Sequence, residues 1–145
     1  MRLCLYLFVL LASAFAANAC KAAKPQLPAD LPLKGFILPA GAELISSEKS
    51  ETNGEGTGVE QATGTRWTIR FSSPAEWPPT AQHFTMILTA GNGFRGDMPQ
   101  GEKSDVTDLR FHSPDGKILF SLADVSIDGS ASHEYQVMVT KRSNN

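Results

Sequence analysis

Cysteine is scarce in this chain: Cys4 and Cys20 are the only two among 145 residues. Cys4 lies inside an apolar opening stretch, so once that stretch is removed a single thiol remains and an intramolecular disulfide is excluded by count. Long apolar runs are scarce as well. The longest, Leu3 through Phe15, falls well short of the roughly 20 residues a helix needs to cross a bilayer. No basic run occurs: thirteen Lys/Arg (one of them Arg2) face fifteen Asp/Glu, which leaves nucleic-acid binding without an electrostatic footprint. G-x-S-x-G is absent, and the one cysteine outside the opening stretch sits at its end, so a nucleophilic triad has no support.

The opening stretch itself is informative. Arg2 precedes the apolar run, and the small residues Ala16-Ala17-Asn18-Ala19 follow it, just before Cys20. A positive start, an apolar middle and a small-residue end are the three parts of a secretory signal peptide. The expectation is therefore a leader over residues 1–19 and one exported domain after it, long enough to bury a core without disulfides or metal. Met1 to Cys20 resembles the leader of bacterial lipoproteins, whose lipobox ends in a small residue followed by the modified cysteine. Ala19-Cys20 supplies that ending, with Ala17 where the family usually has leucine and Asn18 where it usually has a small or hydroxylated residue. The resemblance implies lipidation of Cys20 and attachment to a membrane through an N-terminal lipid anchor. Lys21 stands where an aspartate retains enterobacterial lipoproteins at the inner membrane, which by analogy implies the outer membrane, facing the periplasm. Ordinary cleavage after Ala17-Asn18-Ala19 would instead release a soluble periplasmic module with a free thiol.

Residues 20–34 carry Pro25, Pro28 and Pro32 and read as an extended spacer outside the core, reaching roughly 40 Å. The domain is expected over 35–145. Its first strand falls at Gly35 to Leu38 or, better, Glu43 to Ser47. Ser50 to Gly58 is a polar glycine-rich loop. From Val59 to Phe71 the chain alternates, with Trp67, Ile69 and Phe71 on the buried side. Ser73-Pro74-Ala75-Glu76 fits a capping box, and the main helix is placed over Pro79 to Ala90, with Ala81, Phe84, Ile87 and Leu88 as its apolar stripe and Gly91 as its stop. A polar loop follows over Arg95 to Ser104. Three strands close the chain: one around Leu109 and Phe111, one over Lys117 to Ile127 with a bulge near Ala123, and one around Tyr135, Val137 and Val139. Ser113-Pro114-Asp115-Gly116 turns between the first two. The fold class is α+β: an antiparallel sheet of four to five strands with one main helix packed on one face, in β-β-α-β-β-β order. That order is loosely similar to small helix-on-sheet envelope lipoproteins, such as one subunit of the outer-membrane barrel-assembly machine.

Two motif matches fail on context. Gly91 to Gly96 spells G-x-G-x-x-G, but after a helix rather than before one, where no helix N-terminus can meet a pyrophosphate. Ser46 to Lys49 spells S-x-x-K on a strand and without its K-T-G and S-D-N partners. His83, His112 and His133 are never at i, i+4 spacing, so no helical metal pair exists. Arg66, Arg70, Arg110 and His112 share a strand face and form the candidate surface patch, facing an anion or glycan; ordinary cross-strand pairing with Asp108 and Glu134 is the competing account. The expectation is a non-enzymatic envelope domain acting in binding or assembly, with an envelope protein or glycan as partner and no cofactor. A soluble periplasmic module that binds a small ligand between helix and sheet is the alternative.

Overall fold

The computed structural model describes residues 24–53, 63–96, 108–127 and 130–143. The leader, Cys20 and the loop residues 54–58 and 97–104 lie outside them. Six strands are described: β1 (Glu43–Asn53), β2 (Thr63–Ser73), β3 (Arg95–Gly96), β4 (Asp108–His112), β5 (Ile118–Asp124) and β6 (His133–Arg142). All neighbours are antiparallel, in the order β1-β2-β6-β5-β4-β3. One helix, α1 (Trp77–Met86), runs on into a π-helical turn over Ile87–Gly91. The fold is thus α+β, with one strand more than the sequence suggests, because Arg95–Gly96 pairs with His112 and Phe111. A strand of two residues has no periodicity to read.

The alternation of β2 does what period two requires: Trp67, Ile69 and Phe71 are buried on the helix side. They meet Tyr135, Val137 and Val139 of β6, then Phe120 and Leu122 of β5, all fully buried. The first strand is longer than expected, since Ser50 to Asn53 continue β1 rather than open a loop. No bulge occurs near Ala123. The β5–β6 register is unbroken from Ile118↔Lys141 to Asp124↔Tyr135, and the change of phase marks the strand's end instead. There Asp124 Oδ1 accepts from the Ser126 amide at 2.9 Å, and Ile127 is left exposed. The irregularity belongs to β1, between Leu44 and Ser46, a position that also blunts an edge strand.

The helix starts earlier than the prolines suggest. Pro78 and Pro79 fall in its first turn, where the amide hydrogens they lack would have no intrahelical acceptor anyway. Ser73 does not close a capping box: its hydroxyl accepts from the Ala75 amide at 3.1 Å, and the N-cap, Glu76, makes no side-chain cap. Thr80, Phe84 and Leu88 form the buried stripe. The stop lies at Gly93 rather than Gly91. At φ +68° it adopts the left-handed conformation that only glycine takes cheaply, and the Gly93 and Phe94 amides return to Thr89 O and Leu88 O at 3.0 and 2.9 Å.

The largest correction concerns the proline-rich stretch, which is not a spacer over the residues described. Leu33 is buried in the core, with Leu27 and Leu31 packed against it. The segment from Lys24 to Lys34 crosses the helix-side face of the sheet as a strap. Near its start, Ser47 Oγ donates to Gln26 O at 2.7 Å. Asp30 then accepts from Lys49 Nζ at 2.6 Å and Trp67 Nε1 at 3.2 Å. At its far end Asn92 acts as a substitute peptide group, accepting from the Lys34 amide at 2.9 Å and donating to Lys34 O at 3.0 Å. Phe36 then stacks on Phe84, centroids 5.6 Å apart. The prolines leave the strap without three amide hydrogens to satisfy, and a turn closed by the Leu31 amide on Pro28 O at 3.3 Å bends it within its course.

Leu33→Ala is expected to destabilise the fold by about 2–3 kcal/mol, measured by urea unfolding; a detached spacer would show no change. The Lys49 ammonium, joined by the Trp67 indole N–H, holds the Asp30 carboxyl below the usual carboxylate range. A depressed folded value means that the Asp30 contacts contribute fully above the ordinary carboxylate range and are lost as pH falls below it through the lowered folded value. The Trp67 indole proton resonance should therefore shift in acid, and Asp30→Asn should remove that response.

Candidate functional site

Arg66, Arg70, Arg110 and His112 do share the face of the sheet that points away from the helix, but they do not converge. One pairing row runs Arg66, Thr140, Leu119, His112, Arg95 across the sheet. β6 and β5 lie between the two arginines of β2 and the residues of β4, a gap of about 14 Å at the usual strand spacing. Two of the charges are also matched. Arg70 Nη2 meets Glu134 Oε2 at 3.0 Å, and Arg110 meets Asp108 Oδ2 at 2.9 Å. The middle of this face is carried by half-buried Met138, Leu119 and Gln136 and by buried Ser121 and Thr140. An anion would therefore meet matched arginines at the sides and neutral groups between them.

The histidines stay apart too. His83 bonds Ile37 O at 2.9 Å through Nε2 and meets Phe84 edge-on, which ties the chain ahead of β1 to the helix. His133 stands 3.9 Å from Asp124 Oδ2 and stacks on Tyr135. Ser126 Oγ bonds the same carboxylate through its other oxygen. Asp124 thus separates serine from histidine, the reverse of the order a nucleophile needs. Among the described residues no group of three or more His, Cys, Asp or Glu could hold a metal ion.

What sequence reasoning missed lies at one end of the sheet. Thr65, Lys117, Lys141, Arg142 and Ser143 line an open depression of about 480 Å³. Three strands build it. Lys141 is paired with Thr65 of β2 on one side and Ile118 of β5 on the other. The Arg142 amide donates to Lys117 O at 2.8 Å, and the Ser143 amide to Thr63 O at 2.9 Å, so the ladder runs to the rim. Gly64 makes the closeness possible. It is buried at φ +149°, and a Cβ there would collide with the carbonyl oxygen of Lys141. Lys141-Arg142 is visible as a dyad in the sequence, but Lys117 joins it only through strand pairing.

No protein family, no curated protein and no solved structure matches the chain.

Gly64→Ala should lower stability by about 3 kcal/mol, since β6 must shift to admit the methyl group. Chemical denaturation measures the loss, and amide shifts at Lys141 to Ser143 should report the displaced strand end.

Proposed function

We propose that the chain is a lipid-tethered domain of a bacterial envelope, with a binding or assembly role rather than a catalytic one. The observation that carries this reading is the position of Cys20, the one cysteine outside the apolar leader and directly after its small-residue end. An acylated Cys20 inserts its chains into the bilayer, and each buried methylene adds about 0.8 kcal/mol of attachment. The packed strap sharpens what such a tether does. Only Lys21, Ala22 and Ala23 separate Cys20 from Lys24, so the first described residue stands at most about 14 Å from the acylated one along a fully extended chain. In this reading the domain works close to its membrane. The absence of aspartate after Cys20 favours the outer membrane and its periplasmic side.

A ligand pocket between helix and sheet, the basis of the soluble-module alternative, meets a physical obstacle. Phe84 is fully buried, and its ring lies 5.8 Å from both Phe71 and Phe120 and 5.6 Å from Phe36. These rings occupy that layer, and a ligand there would have to displace them.

Cys20→Ser should move the protein from the membrane to the soluble fraction of cells and abolish incorporation of labelled palmitate. Persistence of the variant in the membrane fraction would overturn the tether.

A further inference from the structure

We propose that the depression at the β2–β6–β5 end of the sheet binds a phosphate-bearing anion. Charge is the first argument. Lys49, Arg70 and Arg110 each have a carboxylate within 3.0 Å. Lys117, Lys141 and Arg142 have no such partner among the described residues, although the chain as a whole is net negative. Positive charge is thus in local excess where the surface is concave, with the nearby Asp115 carboxylate acting on Lys117 from a distance.

Geometry is the second argument. Ladder bonds hold the backbone of all three strands to the rim, so the cations project from a fixed frame and binding requires little ordering of the chain. Lys141 shares the helix-side parity of Thr65, while Arg142, opposite Gly64, takes the other. The two therefore flank the sheet end from both sides, and Lys117, whose carbonyl accepts from the Arg142 amide, stands beside Arg142. Arg142 presents a planar fork to two oxygens of a phosphoryl group and Lys117, its ladder neighbour, an ammonium to a third, while Lys141 lines the depression from the opposite parity; a lone carboxylate has only two oxygens to give. A volume of about 480 Å³ falls within the range of small-molecule sites. Its open mouth leaves the rest of the ligand in solvent.

Two carboxylates bond to lining residues. Glu51 accepts from Thr65 Oγ1 at 3.1 and 3.3 Å. Asp115 accepts from Ser113 Oγ at 2.6 Å and the Lys117 amide at 3.1 Å. Both reduce the local excess of positive charge, and Glu51, close to the depression through Thr65, limits affinity most directly. The site needs neither Cys20 nor a lipid anchor, so it stands apart from the tether.

The full chain carrying Cys20→Ser, which removes any acyl contribution, is titrated with inorganic pyrophosphate at constant ionic strength and followed by amide NMR. Saturable shifts are expected at Thr65, Lys117 and Lys141 to Ser143, with chloride alone producing none. Lys141→Gln and Arg142→Gln should each weaken binding about tenfold, and Glu51→Gln should tighten it. These side chains are exposed, so the variants keep the native spectrum elsewhere. Sedimentation with vesicles, of phosphatidylcholine alone or equimolar with phosphatidylglycerol, identifies the source. Retention by the anionic vesicles that is lost in Lys141→Gln assigns a lipid headgroup, and pyrophosphate binding without retention assigns a soluble phosphate compound. No saturable shift, or shifts that persist unchanged in both variants, overturns the site.

Discussion

The ring of Phe84 is where the layers of this protein meet. It projects from α1, the only long helix described, and touches Phe71 of β2, Phe120 of β5 and Phe36 of the segment ahead of β1. Helix, two strands and the N-terminal chain therefore meet at one aromatic ring of zero exposure. A single helix cannot cover a six-stranded sheet, because its buried stripe is about as wide as one or two strands. The remaining apolar surface, around Trp67, has to be closed by something else. The strap closes it, with Leu33 in the core and Asp30 satisfying the indole N–H. Without that bond the Trp67 nitrogen would be a buried donor lacking a partner, a costly state.

Tyr135 makes a similar junction on the other side. It is fully buried, its ring lies 5.4 Å from Phe71, and its hydroxyl donates to Ala75 O at 2.8 Å. The chain between β2 and α1 is thereby pinned to the centre of the sheet. Burial pushes the Tyr135 hydroxyl up from its ordinary value, as expected of a phenol whose ionised form would lose water.

Much of this was legible in the residues, and the parts that were not have physical reasons. Period two announced β2 and β6 because one side of each strand faces a core and the other does not. The Ser113-Pro114-Asp115-Gly116 turn was legible because its residues act locally: Ser113 Oγ bonds Asp115, the Gly116 amide returns to Ser113 O, and Gly116 sits at φ +68°. The strap was misread because proline density suggests an independent linker. Leu27, Leu31 and Leu33 were the contrary signal, since a solvated linker has no use for three leucines. The arginine patch was half legible: parity placed its members on one face, but only strand order shows that β6 and β5 separate them. The basic depression was hidden for the same reason, as Lys117 and Lys141 become neighbours only through pairing across the sheet.

Strand order carries one more consequence. β6 is the last element described, yet it sits in the middle of the sheet, between β2 and β5. Before it arrives, β1–β2 and β4–β5 are separate hairpins, and an isolated hairpin is marginal in water. During synthesis, then, nothing resembling the finished domain can lock until residues 133–142 have emerged, and the β2–β6 register must be found across some sixty intervening residues. A domain whose keystone is laid last remains a threadable polymer for as long as its end is held back.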